Sequence, residues 1–392
     1  MKNRLLSILM LIGTSSCFAQ SSVTVYGRID NGFQYVGGSG IPSGHVISAE
    51  SGDFGGSHFG MQAVEDIGAG TKVTAQLQMG INTLNGSYEN GSLFGSTATL
   101  GMSNASWGSF RVGNFGVSEI LDDSVWVDPQ YFQFYGLTTL VRGRDFTQAG
   151  NGLEYVSPNV HGLTMKGQYD LTNSPTWNAG DPGSGPGQLF GAQGRSDGLE
   201  VQYDAKTLLL EAIYDETRDP NGEFNNVYVS SRSVLLGAMY DTGSVKIFGG
   251  WQHLSAPDAS NAGYFGTSAP TTLPVGAGLP TAVDQEWLGA IWTPIPVIEL
   301  TAAVYHSNTN NGNGDATMFT VSGRYHLSER TFFYSEIASI KNSATSNFGL
   351  GDGYTDPYGA NANEDPENGG TRTDPDYGHG QVGVYAGIMH NF

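Results

Sequence analysis

The chain of 392 residues has a single cysteine and few charges, and each scarcity excludes a class of protein. Lys and Arg number 17 against 37 Asp and Glu, which gives a formal net charge of -20. Because phosphate binding needs an excess of Lys and Arg, nucleic acid is excluded as the main partner. One cysteine cannot form an intramolecular disulfide, so the fold does not depend on one. Charged residues make up only 14% and aromatic residues 11%, which is atypical of a disordered acidic protein.

Long hydrophobic runs are absent beyond the N-terminus. A short basic start precedes the apolar run 5–13, and small residues follow it up to Ala19, which is the pattern of a secretory signal peptide. We therefore predict a signal peptide at residues 1–19 and a mature exported chain at 20–392. Acylation of Cys17, as in a lipoprotein, is the alternative, but no apolar residue stands three positions before it. After the signal, no window reaches the roughly 18 apolar residues of a transmembrane helix.

What recurs instead is alternation of apolar and polar residues. Lys72 to Met79 alternate without a break, and segments 164–170, 199–204, 298–304 and 382–388 do the same. Period two places the apolar side chains on one face of a sheet and the polar ones on the other. The alternating segments are about 10 residues long, the length of a tilted membrane strand rather than of a soluble one.

Connections between these segments alternate between short and long. Seven short turns are predicted at 67–70, 104–108, 157–162, 204–207, 241–244, 294–296 and 327–330. Eight long connections are predicted near 37–52, 83–92, 116–149, 172–195, 216–231, 254–284, 307–315 and 341–378. This pattern predicts an all-β fold, a 16-stranded antiparallel transmembrane β-barrel with short periplasmic turns and long extracellular loops. A barrel of that size encloses a water-filled lumen.

Six short blocks, in a fixed order from residue 21 to the C-terminus, carry a family resemblance. They are SSVTVYGRID at 21–30, GSHFG with EDIG at 56–68, LFG with LG at 93–101, GLEY with SPN at 152–159, LSERT at 327–331 and the closing segment 382–392. Together they resemble the general porins of Gram-negative bacteria, in the branch common among β-proteobacteria. The resemblance implies a homotrimeric diffusion channel in the outer membrane, in contact with lipid and lipopolysaccharide. It also implies that the third long loop, 116–149, folds into the lumen and constricts it.

The resemblance has departures at two positions. Members of the family usually carry Arg where this chain has Ser96, and often carry Arg where it has Asn114. Those arginines line the pore and attract anions in the anion-selective relatives, so their absence argues against anion selectivity here.

Aromatic residues have three expected places. Near strand ends they predict interfacial girdles, with Trp251, Trp287, Trp292, Tyr203, Tyr240, Phe333 and Phe392 as members. Within the third long loop, five are expected to pack it against the wall: Trp126, Tyr131, Phe132, Phe134 and Tyr135. The terminal Phe392 also resembles the signal that the barrel-assembly machinery recognises, so this machinery is an expected partner.

Selectivity in a pore depends on its width and on charges at the narrowest point. The residues predicted at the constriction are Glu119, Asp122, Asp123, Asp128, Arg28, Arg142 and Arg144. The first three acids are expected to face Arg28 and Arg144, so that opposed charges create a transverse field. By strand phase, the charged residues expected to face the lumen include Asp30, Lys72, Lys166 and Arg324.

Acids also crowd the external loops, where a negative vestibule concentrates cations. We therefore predict a porin for passive diffusion of ions and small hydrophilic solutes, with a mild cation preference. A channel specific for small anionic metabolites or sugars is the alternative, because Arg28, Arg142, Arg144 and Lys166 could begin a basic ladder. A barrel enzyme is the third interpretation. The eight histidines are scattered and no GxSxG or HExxH motif occurs, so we predict no catalytic residue, metal ligand or cofactor.

Overall fold

The computed structural model describes residues 21–38, 44–88, 92–115, 119–131, 135–146, 150–170, 196–265, 272–351 and 374–392, without the side chains of Glu119 and Phe146. The predicted signal peptide at 1–19 lies outside these residues, as does the whole predicted loop at 172–195.

Strands account for most of the described residues. In chain order they are β1 Ser22–Gly38, β2 His45–Ser51, β3 His58–Gly68, β4 Thr71–Gly80, β5 Thr97–Asn104, β6 Gly108–Asn114, β7 Asn151–Val156, β8 Leu163–Asp170, β9 Ser196–Asp204, β10 Leu208–Thr217, β11 Arg232–Asp241, β12 Val245–Ser255, β13 Ala282–Ile295, β14 Ile298–Thr309, β15 Gly314–His326, β16 Thr331–Asn342 and β17 Gln381–Asn391. Short helical turns lie at Glu119–Asp122, Asp123–Val127, Thr139–Val141, Arg144–Phe146 and Asn261–Tyr264. None of these described helices is long or apolar enough to cross a membrane.

The strands form one closed antiparallel barrel. From β3 to β17 each strand pairs with the next in sequence, and β1 pairs with β17 from Arg28 opposite Asn391 to Gly38 opposite Gln381. Both β2 and β3 pair with β1, at its second and first half respectively, so together they fill one position of the wall. The described residues therefore build a 16-stranded wall, which confirms the predicted fold class.

The two faces of the wall differ as the alternation predicts. Large apolar residues exposed on the outer face include Val25, Leu77, Leu100, Leu288, Val321 and Ile337. Residues buried on the inner face include Gln168, Glu211, Gln252, Gln285, Thr301 and Glu336. An apolar outer face meets lipid, and closure satisfies the backbone hydrogen bonds that an open sheet edge would leave unpaired in lipid.

The seven predicted short turns are confirmed as the connections after β3, β5, β7, β9, β11, β13 and β15. Two of the predicted long connections are wrong. The one at 307–315 is a four-residue turn, because β14 and β15 pair up to Thr309 opposite Gly314. The one at 37–52 contains β2, whose Ile47 lies on the outer face with 70% of its surface exposed.

The loop between β6 and β7 folds into the barrel, as predicted for 116–149. The Trp287 indole nitrogen donates a hydrogen bond to the Val127 carbonyl at 2.8 Å, and the Gln285 amide donates to the Leu137 carbonyl at 2.8 Å. Both wall residues lie on β13. The prediction that Trp287 belongs to an outer girdle is therefore wrong: its neighbour Leu288 faces outward, and Trp287 points inward beneath the loop.

Glycines in the wall let this loop approach closely. An ideal Cβ at Gly237 on β11 would lie 2.4 Å from a methyl carbon of Val127. At Gly289 on β13 it would lie 2.6 Å from the Pro129 ring. Real Cβ contacts do not occur at such distances, so any side chain at these positions displaces the loop.

Candidate functional site

The inward loop and the opposite wall enclose a cavity of about 550 Å³. Its lining comprises Arg28, Phe54, Gly55, Gly56, Asp122, Val125, Trp126, Tyr131, Glu299 and Arg324. The loop supplies the acid Asp122, the exposed Trp126 and the half-buried Tyr131, whereas the wall supplies both arginines. This is the arrangement of opposed charges expected of Asp122 and Arg28.

Arg28 is held in position by contacts with β17 and with Gly55. Its Nε donates to Asn391 Oδ1 on β17 at 3.3 Å. An ideal Cβ at Gly55 would lie 2.3 Å from an Arg28 guanidinium nitrogen, so only glycine leaves room for the guanidinium there. The segment 52–57, which separates β2 from β3, therefore shapes the wall side of the cavity.

Asp30 anchors that segment. Its Oδ2 accepts hydrogen bonds from the backbone N–H groups of Phe54 at 3.0 Å and Gly55 at 2.9 Å, and the Tyr334 hydroxyl donates to Oδ1. Asp30 points inward, as its strand phase predicts, but it is fully buried beneath the segment. Its carboxylate therefore orders the wall instead of meeting the solution in the lumen.

Arg324 on β15 is the second wall arginine of the cavity. It forms an ion pair with Glu299 on β14, and its guanidinium carbon lies 5.3 Å from the ring centres of Phe54 and Tyr131. The ion pair holds the side chain to β14, and the aromatic contacts place the guanidinium beside the segment 52–57 and the inward loop. Arg324 thus faces the lumen with its charge locally balanced.

Asp122 and Asp123 lie on the lumen side of the loop. Desolvation raises the pKa of Asp122, and the nearby charge of Lys166 opposes that rise. Asp123 forms an ion pair with Lys166 on β8, whose ammonium also lies 3.6 Å from a Glu200 carboxylate oxygen. Lys166 thus faces the lumen as its strand phase predicts, in a second cavity of about 210 Å³ that Asp123 also lines.

Asp128 lies on the buried side of the loop and does not line the cavity, contrary to the prediction that it lies at the constriction. Its Oδ1 accepts hydrogen bonds from the Tyr305 hydroxyl at 2.5 Å and the Gln130 backbone N–H at 3.1 Å. Its Oδ2 accepts from the Leu137 backbone N–H at 3.2 Å. The side chain is completely buried and fastens the loop to β14.

Arg144 does not face the loop acids, because it lies on the loop and points into the wall. Its Nη2 donates to Asp215 Oδ1 at 2.6 Å and to the Ser231 carbonyl at 2.8 Å. Its Nε donates to Ser231 Oγ at 2.8 Å. The side chain is therefore an anchor of the loop.

Arg142 is likewise buried and connects the loop to the segment after β16. Its Nη2 donates to Asn347 Oδ1 at 2.8 Å, and its Nη1 lies 3.7 Å from Asp374 Oδ2. The guanidinium carbon lies 4.3 Å from the Phe348 ring centre and 5.3 Å from that of Tyr228. These contacts place the charge away from the cavity.

Of the three remaining predicted residues, two lie away from the cavity and one has no described side chain. The Glu119 side chain falls outside the described residues. Lys72 is exposed beside the turn that joins β3 to β4, away from the loop. Phe392 closes the barrel, since its backbone N–H donates to the Gly27 carbonyl at 3.0 Å and its own carbonyl accepts from Gly27 at 3.1 Å. Neither lysine nor phenylalanine is part of the cavity.

The aromatic residues of the loop divide into two groups. Tyr135 is buried, and its hydroxyl accepts a hydrogen bond from the Gln34 amide at 3.0 Å, so it packs against the wall as predicted. Trp126 does not, because 54% of its surface is exposed in the lumen. Phe132 and Phe134 lie outside the described residues. The exposure of Trp126 has no signal in the sequence, because the loop lacks strand periodicity.

No group of three or more His, Cys, Asp or Glu side chains is placed to bind a metal ion in the part of the chain that the structure describes. The residues that line the cavity offer charged, hydrogen-bonding and aromatic groups.

Comparison with known proteins finds relatives along nearly the whole chain. The family described as Gram-negative porin matches residues 6–345. An outer membrane porin protein of Bordetella pertussis is 25% identical over 386 residues, which covers 88% of this chain and 95% of that protein. The solved structure of an anion-selective porin from Comamonas acidovorans has a TM-score of 0.73 at 21% identity, covering 95% of this chain and 100% of that one. The trimer form of OmpT, an outer membrane protein of Vibrio cholerae, has a TM-score of 0.57 at 11% identity, with 95% and 99% covered.

Proposed function

Because this chain belongs to the Gram-negative porin family, we propose that it forms a water-filled channel for passive diffusion of ions and small hydrophilic solutes. The protein lies in the outer membrane of a Gram-negative cell as a multi-pass β-barrel. The observation that carries the proposal is the 550 Å³ cavity inside the barrel, with Asp122 on the loop and Arg28 on the wall.

The physical basis is a transverse field across water. Positive charge on Arg28 faces negative charge on Asp122, and low-dielectric walls concentrate the field between them. Ions and polar solutes replace contacts with water by contacts with these charges, which costs little free energy. An apolar solute, by contrast, must displace ordered water from the charged groups without replacing its hydrogen bonds. The loop anchors described above keep the opposing groups at fixed positions.

We propose a mild cation preference as the selectivity of this channel. Several inward-facing bases are matched by acids, as in the pairs Arg324–Glu299, Lys166–Asp123 and Arg111–Glu154, while the whole chain carries an excess of 20 acids. The Comamonas acidovorans porin is anion-selective, but this chain has Ser96 and Asn114 where the resemblance implies pore arginines. The zero-current potential in a KCl gradient tests the preference, and an anion preference would overturn it.

A homotrimer is the proposed assembly. Its support is the trimer form of OmpT, whose fold this chain shares, together with an apolar outer face that either lipid or a neighbouring copy can cover. Native mass spectrometry of the detergent-extracted protein should give three times the mass of one mature chain. A monomer as the main species would contradict the proposal.

Planar-bilayer recording is the direct test of the channel. We expect discrete conductance steps that increase in proportion to salt concentration and are nearly linear in voltage, as water-filled pores give. A bilayer that stays non-conducting after insertion of correctly folded protein would contradict the proposed function.

The alternative, a channel specific for small anionic metabolites or sugars, predicts a different dependence on solute. Liposome swelling should slow smoothly with solute size if the channel is a sieve. A sugar or organic acid that enters much faster than others of its size would favour the specific channel. Separate series of neutral sugars and carboxylates distinguish the two substrate classes.

A further inference from the structure

Trp126 is an apolar surface at the centre of a polar lumen. The 550 Å³ cavity, a cavity of about 350 Å³ and the 210 Å³ cavity all include Trp126 in their linings. Its neighbour Val127 is completely buried against the wall, so the backbone beneath the indole is fixed while 54% of the Trp126 surface remains exposed. A solute that moves between these cavities therefore passes over the indole.

Two opposite charges in the cavity that Trp126 lines, Arg28 and Asp122, form no ion pair among the described residues. The Arg28 side chain donates to the neutral Asn391 and forms no ion pair within the described part of the chain, although its charge acts on the buried Asp30 carboxylate from a distance. Asp122 has no ion pair there either, although the charge of Lys166 acts on it from a distance. Arg324, in the same cavity, is by contrast neutralised by Glu299. The cavity thus offers one guanidinium and one carboxylate for a ligand.

We propose that Arg28, Asp122 and Trp126 form a weak binding site for zwitterionic solutes with an aromatic or large apolar side chain, the chemistry of an aromatic α-amino acid. This inference rests on the proposed function, because the site lies inside the channel. The solute carboxylate binds the Arg28 guanidinium, which presents paired N–H donors to a carboxylate. The ammonium group binds Asp122, and the ring stacks on the Trp126 indole.

The charges favour this class over a neutral sugar. A sugar ring can stack on tryptophan, but it offers no charge to Arg28 or Asp122, whereas a zwitterion carries one opposite charge for each of them. A solute with only one charge satisfies one group and leaves the other. The cavity volume of about 550 Å³ lies within the range of small-molecule sites, so the solute and some water fit together.

The site must be weak to assist transport. Binding in a channel has to favour entry yet allow rapid exit. We therefore expect dissociation constants on the order of 1 mM, at the weak end of specific binding. At low outside concentration such a site raises the occupancy of the pore by aromatic amino acids above that of equally large sugars.

Block of the potassium current by added solute tests the proposal. With KCl on both sides, phenylalanine added to one side should reduce the open-channel current in a concentration-dependent way. Three compounds separate the contributions: phenylethylamine lacks the carboxylate, 3-phenylpropionate lacks the ammonium group, and glucose lacks both charges. We expect each to block about tenfold more weakly than phenylalanine.

Variants assign the block to residues. In Trp126→Ala the phenylalanine block, expressed relative to the open-channel current of that variant, should be about tenfold weaker, which corresponds to the loss of one aromatic contact. Trp126→Phe should keep most of the block. In Arg28→Gln, phenylalanine should block no more strongly than phenylethylamine. In Asp122→Asn, phenylalanine should block no more strongly than 3-phenylpropionate. Trp107→Ala is the matched control, because Trp107 lies in the short turn after β5 and lines none of these cavities.

Two results would overturn the inference. An equal phenylalanine block in wild type and Trp126→Ala would exclude the indole as the binding surface. A block by glucose as strong as that by phenylalanine would assign the surface to carbohydrates. Both results presuppose a conducting channel, so they are distinct from failure of the proposed function, which would appear as no potassium current before any solute is added.

Discussion

Arg144 and Asp215 form an ion pair from which water is excluded, since both side chains are 0% exposed. Such a pair contributes little to folding stability compared with an apolar pair of the same shape, but the loss of one partner leaves the other charge buried without compensation. We expect Arg144→Met to destabilise the loop anchorage by about 3–5 kcal/mol and to raise the current noise of the open channel. Thermal unfolding in detergent and bilayer recordings measure the two effects.

The double variant Arg144→Met with Asp215→Leu is the control for that prediction. Because it removes both charges, it should recover much of the lost stability. A double variant that is less stable than Arg144→Met alone would show that Asp215 has another stabilising role.

Asp145 gives the loop a dependence on pH. Burial raises the pKa of Asp145 to about 6, although the Gln252 amide donates to its Oδ1 at 2.7 Å and Arg144 lies nearby; the acids Asp215 and Asp128 raise it further. A pKa raised in the folded state means that the group's contribution to stability is complete below the unfolded value of about 4 and is lost as pH rises through about 6. The loop should therefore be held more firmly in acid.

Hydrogen exchange of the loop amides, corrected for intrinsic rates, measures this effect. Protection should be higher at about pH 5 than at about pH 7.5 in the wild type. Asp145→Asn keeps the acceptor for Gln252 and should remove the difference, whereas Asp241→Asn, in a short turn, should keep it. A wild-type loop with the same protection at both pH values would disprove the assignment.

Strand periodicity made part of the site predictable at this scale. The positions of Arg28, Lys166 and Arg324 follow from their phase in alternating segments, because a strand fixes which face each side chain occupies. No such rule predicts the direction of side chains in the loop. In the turn Asp123–Val127 adjacent side chains point in different directions, so Trp126 is exposed and Val127 is buried, and only the folded loop shows which is which.

At the scale of elements, the loop and the wall fit each other through glycine. Gly237→Ala would place a Cβ about where Val127 now packs, at 2.4 Å. We expect the loop to move into the lumen or to lose its docked position, with an altered unitary conductance and more frequent closures. Gly167→Ala on β8 is the matched control, because no heavy atom lies within 4 Å of its ideal Cβ. Equal conductance of the two variants would show that the loop tolerates the displacement.

The segment 52–57 is an element that sequence patterns did not predict. Its residues interrupt a wall strand, yet β1 continues past the interruption and pairs with β2 on one side of it and β3 on the other. Its position depends on hydrogen bonds from Phe54 and Gly55 to Asp30, more than 20 residues earlier in the chain. Periodicity is a local property, and it carries no information on such distant partners.

At the scale of the whole molecule, the fold was predictable because every strand has one face toward lipid and the other toward the lumen, and therefore shows the same alternation of apolar and polar residues. The sixteen-membered wall, its closure and its seven short turns all follow from one repeated pattern of alternation and connection length. Loop lengths were less predictable, as the four-residue turn after β14 shows, because an irregular polar stretch can still pair as a strand.

Closure of the barrel by Phe392 gives a prediction about assembly. The ring packs against Gly27, and 44% of its surface faces outward, where assembly factors can reach it. We propose that Phe392→Ala lowers the amount of folded protein in the outer membrane several-fold without changing the conductance of the molecules that assemble. Phe333→Ala, at another outward-facing phenylalanine, should have a smaller effect. Unchanged yield in Phe392→Ala would remove the assembly role.

The zero-current potential across a bilayer with a tenfold KCl gradient tests most directly that opposed charges of the loop and wall control what passes. The wild type should give a small potential of the sign that indicates potassium over chloride. Asp122→Asn should shift it toward chloride and Arg28→Gln further toward potassium, since each removes one unpaired charge from the 550 Å³ cavity. A wild-type potential that indicates chloride, or two variants indistinguishable from the wild type, would contradict the account.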